Sequence, residues 1–287
     1  MPLVSPSEVI APARAAGHGV GAFNVVQIEH AEAIVTGAER VGAPVVLQIS
    51  ENTLRYHGRP EPLGLAALAV ARAAAVPVVV HLDHATDPEL VRRAAALGYT
   101  SVMIDASALP YEDNLAVTRE VTRRCHAAGV WVEAELGEIG GKGGAHAPDA
   151  RTDPSEAAAF VAATGVDTLA VAVGSSHAMR DRVAVLDHGL LAELRRRVPV
   201  PLVLHGSSGV PDEGLRAAVA HGITKVNVST HLNRLFTEAV RDRLARDPGL
   251  VDTRTYLGAG REAAAREVAR LLVLLGAARL PVTATAG

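Results

Sequence analysis

Eight short apolar runs, each followed by a stretch of helical spacing, constrain this 287-residue chain more than any other feature. The runs are GVGAFNVV (19–26), APVVLQIS (43–50), VPVVVHLDH (76–84), TSVMIDAS (100–107), VWVEAELG (130–137), VDTLAVAVGS (166–175), VPLVLHGSS (200–208) and ITKVNVST (223–230). Most have a Val-, Ile- or Leu-rich body, as parallel strands covered on both faces do. Asp87-Pro88, Asp153-Pro154 and Pro211-Asp212-Glu213 mark helix starts between them. Gly42, Gly98, Gly129, Gly165 and Gly222 mark helix ends. The alternation predicts a TIM (β/α)8 barrel over 1–287 as one domain. An extra N-terminal helix (PSEVIAPARAAG) precedes it, and a C-terminal helical extension (GREAAAREVARLLVLLG) follows. A doubly wound open sheet is the competing fold. No Gly-x-Gly-x-x-Gly follows the first run, which weakens its dinucleotide-binding form.

Charge and composition narrow the partners. A net charge of −3 with no basic block argues against nucleic acid and anionic membranes. Three Phe, four Tyr and one Trp leave few platforms for base stacking. The single cysteine, Cys125, excludes an internal disulfide and suits a reducing compartment. No run approaches about 18 consecutive apolar residues, and the N-terminal stretch lacks the apolar centre of a secretory signal. The expected location is the cytoplasm.

The chemistry of such a barrel sits at the C-terminal ends of its strands. All eight ends are polar here: Asn24; Ser50 and Glu51; Asp83 and His84; Asp105 and Ser107; Glu135; His177; His205 and Ser207; Asn227, Ser229 and Thr230. His84, His177 and His205 stand at the ends of the third, sixth and seventh expected strands. Three imidazoles with an open position make a catalytic zinc site. Any one of them alone reads as an ordinary core histidine; three at the mouth of one barrel point to an ion. The other histidines are read as structural, with His81 a candidate support behind the ligands. Asp83 adjoins a candidate ligand and is placed either to move a proton on a substrate or to orient a histidine. Asp105 and Glu135 are equally readable as holders of a second cation and as ion-pair partners. His205-Gly206-Ser207-Ser208-Gly209 and Asn227-Val228-Ser229-Thr230 end the last two strands, where barrels bind phosphate through backbone N–H groups. The only lysines are Lys142, in a glycine-rich loop, and Lys225, near the start of strand eight. The first seven strands carry no lysine to form a Schiff base, and Lys225 lies away from the mouth, so a metal is the better electron sink.

These residues resemble the class II, metal-dependent ketose-bisphosphate aldolases, which include fructose- and tagatose-1,6-bisphosphate aldolases. The resemblance covers nearly the whole chain. It rests on AFNVVQIE (22–29), HLDHATD (81–87), SVMIDAS (101–107), VEAELGEIGG (132–141), LAVAVGSSH (169–177), LVLHGSSGV (202–210) and KVNVST (225–230). It implies zinc on His84, His177 and His205, a second metal position at Asp105 and Glu135, and Asp83 as the proton donor and acceptor. It implies that Ser50 contacts the aldehyde-phosphate half of the substrate. Gly206, Ser207, Ser208, Asn227, Val228, Ser229 and Thr230 then hold dihydroxyacetone phosphate, with Asn24 in the same substrate site. A monovalent Na+ or K+ near the phosphate and a homodimer or homotetramer are further family features.

Three departures stand out. Ala178 follows His177 where the family usually has Gly. The long irregular stretch GEIGGKGGAHAPDARTD (137–153), read as a lid, carries Gly140-Gly-Lys-Gly-Gly144 in place of an acidic pair, leaving Glu138 as the nearest substitute. His231 follows NVST where Glu is usual. The expected function is therefore zinc-dependent reversible cleavage of a ketose 1,6-bisphosphate, fructose first. The alternatives are a related aldolase with tagatose bisphosphate or another phosphorylated acceptor, and a non-catalytic metal- or phosphate-binding barrel. Arg254 and Arg261 are candidates for the distal phosphate.

Overall fold

The eight apolar runs become strands β1 (Val20–Asn24), β2 (Val45–Ser50), β3 (Val78–Ala85), β4 (Ser101–Ile104), β5 (Trp131–Glu135), β6 (Thr168–Ala170), β7 (Leu202–Leu204) and β8 (Ile223–Val228). The computed structural model describes residues 2–136, 151–177, 179 and 181–279. Each strand pairs in parallel with the next and β8 pairs with β1, so the sheet closes into the expected TIM barrel. Closure excludes the open doubly wound sheet. The strands are shorter than the runs that announce them, most of all β6 and β7 at three residues each. Beyond these two strands, residues 171–175 and 205–208 leave the ladder at the mouth end.

Eleven α-helices are found among the described residues: α1 (Ile10–Ala16), α2 (Ile28–Val41), α3 (Glu51–His57), α4 (Glu61–Ala73), α5 (Pro88–Leu97), α6 (Tyr111–Ala127), α7 (Pro154–Thr164), α8 (His188–Arg197), α9 (Asp212–Ala220), α10 (Thr230–Arg246) and α11 (Thr253–Leu274). Asp87 caps α5, its carboxylate accepting the Glu89 N–H at 2.8 Å, and Asp153 caps α7. The helical stretch after the second run, EPLGLAALAVARAAA, forms α4, and a further short helix, α3, precedes it. Ser50 caps α3, and Gly58 in the left-handed region ends it before α4 begins. Helices α2 and α4 to α10 ring the barrel. The extension α11 packs along α2 and α10. No helix among the described residues is long and apolar enough to cross a membrane.

The barrel interior changes character along its axis. At the floor, Val4, Val9 and Ala13 from the N-terminal segment pack on Val20, Ala22, Val46 and Val79. Residues two apart on a strand face the same side. On β3, Val79, His81 and Asp83 therefore step inward from an apolar floor to a polar mouth, all nearly inaccessible to water.

Candidate active site

The strand ends enclose a cavity of about 180 Å³ at the C-terminal mouth. Asn24, Ser50, Asp83, His84 and His177 line one side, and Gly206, Ser208, Asn227, Ser229 and Thr230 the other. Gln48 also lines it and was not anticipated; its Nε2 donates to Asn24 Oδ1 at 2.5 Å. His205, Asp105 and Glu135 lie just behind, all buried. The Ser207 hydroxyl donates to the Asn227 backbone carbonyl. The Val228 side chain packs in the apolar core, leaving only its backbone for a ligand. A larger groove between α5 and α6, about 870 Å³, is lined by Ala, Val and surface charges and gathers no comparable set of polar groups.

His84, His177 and His205 converge, each offering a ring nitrogen within 4.8 Å of the others. Their ring centroids are 4.7 to 5.7 Å apart. Carboxylates set two of the tautomers. His84 Nδ1 lies 2.8 Å from Asp105 Oδ2, and His205 Nε2 lies 2.9 Å from Glu133 Oε1. An ionised carboxylate only accepts, so each of these nitrogens carries the proton. The bare nitrogens are then His84 Nε2 and His205 Nδ1, and they face each other at 3.0 Å. Two lone pairs at that distance need positive charge beside them. A shared proton would satisfy the pair but gives no part to His177, whereas a divalent cation uses all three. Burial, then the neighbouring His84, hold the His205 imidazole well below its ordinary pKa, which keeps it a neutral donor. The donor set fits a metal.

Behind His205 runs a buried chain that the sequence reading missed in part. Glu133 Oε2 accepts from Lys225 Nζ at 2.8 Å, and Lys225 Nζ lies 3.4 Å from His81 Nε2. His81 Nδ1 in turn pairs with Ser101 Oγ at 2.8 Å. Burial pushes the Glu133 carboxyl up, but Lys225 and His81 outweigh it and hold it below the usual carboxylate range. Lys225 is thus structural, as expected, and His81 is a support. Since Asp105 and Glu133 orient the histidines, Asp83 is spared that task. Its Oδ1 is buried with no hydrogen-bond partner among the described residues. A second group, His84 with Asp105 and Glu135, also brings one donor atom each within 4.8 Å.

The far end of the cavity is built from short turns. Gly206 takes φ 64°, and a Cβ there would sit 2.5 Å from the Ser176 carbonyl oxygen, so no other residue fits. Ser208 Oγ accepts the Ser229 and His231 N–H groups at 3.3 and 3.2 Å, tying this turn to the start of α10. The first N–H groups of a helix lack intrahelical partners and suit an anion. Asn227 is 7% exposed, and neither of its side-chain polar atoms has a partner among the described residues. His231 Nε2 pairs with Glu267 Oε1 of α11 at 2.7 Å, away from the cavity wall. Arg254 and Arg261 do not line the cavity; they pair with Asp252 and Glu32. Ala178 and residues 137–150 of the expected lid, with Glu138 and Lys142, lie outside the described residues.

A parallel barrel with a cation-ready imidazole trio and an unpaired carboxylate at its mouth defines a metal-assisted barrel enzyme. The family model for class-II fructose-bisphosphate aldolase matches residues 4–279. The chain is 40% identical to a fructose-bisphosphate aldolase of Thermus caldophilus, over 96% of this chain and 98% of that one. It is 39% identical to a fructose-bisphosphate aldolase of Geobacillus stearothermophilus, over 92% and 93%. Among solved structures it resembles the YdjI aldolase from Escherichia coli K12, with a TM-score of 0.84 at 29% identity, covering 97% and 100% of the two chains. This chain belongs to the class-II fructose-bisphosphate aldolase family. It is an aldolase, a lyase for aldol cleavage of a ketose bisphosphate, and its family is metal-dependent.

Proposed function

We propose that the chain reversibly cleaves fructose 1,6-bisphosphate to dihydroxyacetone phosphate and glyceraldehyde 3-phosphate, with zinc on His84, His177 and His205. The facing of His84 Nε2 and His205 Nδ1, each with its proton drawn to the far side of the ring, carries this reading. Zinc held by these three imidazoles would supply Lewis-acid chemistry toward a ketone oxygen. Asp83 takes the proton from the C4 hydroxyl in cleavage and returns it in synthesis, and the unpaired Oδ1 supports that role. Asn227, the N–H groups at Gly206–Ser208, the Ser229 hydroxyl and the Thr230 N–H hold the dihydroxyacetone phosphate half. Ser50 and Asn24 orient the remainder of the sugar. Asp105 and Glu135 offer a second divalent position, and Na+ or K+ would sit near the phosphate. On family grounds the chain acts as one domain, in the cytoplasm, as a homodimer or homotetramer.

Metal analysis joined to a coupled cleavage assay tests the proposal. Chelation should abolish cleavage, zinc or cobalt should restore it, and fructose 1,6-bisphosphate should outpace tagatose 1,6-bisphosphate. Cleavage surviving exhaustive metal removal would overturn the metal assignment, and a reversed substrate order the choice of sugar.

A further inference from the structure

Asp83 and His84 are neighbours on one strand, yet both line the cavity. Strict alternation would turn one of them outward. The pairing between β3 and β4 shows the device. His81 faces Ser101 and Leu82 faces Val102, but the next pair is Ala85 with Ile104. Three steps on β3 match two on β4, so β3 carries one extra residue, a β-bulge. His84 has φ 50° and is the one non-glycine residue among those described with a left-handed backbone. A histidine in that region persists only where its surroundings hold it.

The clamp lies just beyond the bulge. Glu51 Oε2 accepts the Thr86 backbone N–H at 2.5 Å, and both Glu51 oxygens lie within 3.2 Å of the Thr86 hydroxyl. Glu51 is 7% exposed and opens α3, so it is fixed by the helix that Ser50 caps. Arg55, one turn on, engages its Oε1. Glu51 itself is absent from the cavity wall.

We infer that Glu51 is a positioning residue: by gripping Thr86 it holds the β3 bulge that presents both the proton-transfer carboxylate and the first imidazole to one cavity. This rests on the reading of His84 as a metal ligand. A carboxylate needed only to start α3 would matter for folding, not for metal affinity.

Cobalt(II) titration followed by its visible spectrum, with zinc competition against a chromophoric chelator, separates the two roles. In Glu51→Ala, metal affinity should fall at least about tenfold, and kcat at saturating metal should fall more than KM rises. Glu51→Gln keeps one acceptor oxygen for the Thr86 N–H and should lose roughly threefold. If Glu51→Ala does not fold, Glu51→Gln decides the matter alone. Wild-type affinity and cobalt spectrum in either folded variant would overturn the inference. Failure of the parent reading looks different: His84→Ala would then bind cobalt as well as wild type.

Discussion

Glu133→Gln tests the buried chain behind the metal trio most sharply. Glu133 and Lys225 are each 1% exposed, and the carboxylate is the counter-charge of the ammonium at 2.8 Å. The substitution keeps the shape and removes the charge. A buried ion left alone costs about 3–5 kcal/mol, so the metal-free protein should lose that much in urea unfolding. The second effect is chemical. Lys225 can only donate, so it claims the amide oxygen and turns the amide NH2 toward His205 Nε2. His205 must then give up its Nε2 proton and carry it on Nδ1, the nitrogen facing His84. The ligand lone pair is lost, and zinc should bind about 10–100-fold more weakly, equivalent to about 1.4–2.8 kcal/mol. Adding Lys225→Met frees the amide oxygen for His205 and removes the orphaned charge, so the double variant should recover both losses in large part. Competition titration against a chelator reads the affinity. Wild-type zinc affinity in folded Glu133→Gln would refute the tautomer reasoning; so would a double variant that regains stability without affinity.

Other expectations follow from neighbouring groups. Asp83→Ala should retain its zinc while kcat falls about 10²–10⁴-fold; unchanged kinetics would remove Asp83 from proton transfer. Burial and then Lys225 hold His81 well below its ordinary pKa. The unfolded chain takes up that proton near pH 6.5, roughly, and the folded chain does not until lower pH. Stability from this source is thus complete above about pH 6.5 and lost as the pH falls. His81→Gln should flatten the acid side of the urea-midpoint profile by roughly one proton. Gly206→Ala pushes a methyl against the Ser176 carbonyl at a positive φ; it should cost more than about 1 kcal/mol and raise KM, measured by thermal unfolding and steady-state rates.

The barrel and its mouth were legible because their signals are local. Each strand carries its own apolar body, several helices their own capping residue, and each strand end its own polar residue. What escaped depends on pairs of segments far apart in sequence. The helix α3 escaped, since ENTLRYH is one short segment with no long apolar face, and its Ser50 cap also reads as a polar strand end. The Glu133–Lys225 contact joins residues 92 apart on strands that are not neighbours, meeting only across the barrel interior.

Part of that interior was nonetheless written in the strands. A mouth residue is preceded, two positions earlier, by another inward-facing residue. In four strands that earlier residue is polar: Gln48 before Ser50, His81 before Asp83, Glu133 before Glu135 and Lys225 before Asn227. A parallel-barrel interior deep enough to hide four polar groups must pair them, and one lysine among a glutamate and a histidine leaves little choice of partners. The same alternation exposes the anomaly at His84. It stands three residues after His81, out of phase with the inward set, so if it reaches the cavity the strand must bulge. Two adjacent titratable residues that must both reach the cavity thus point to a β-bulge, and here the neighbouring strand end contributes Glu51, which accepts the Thr86 N–H just beyond it.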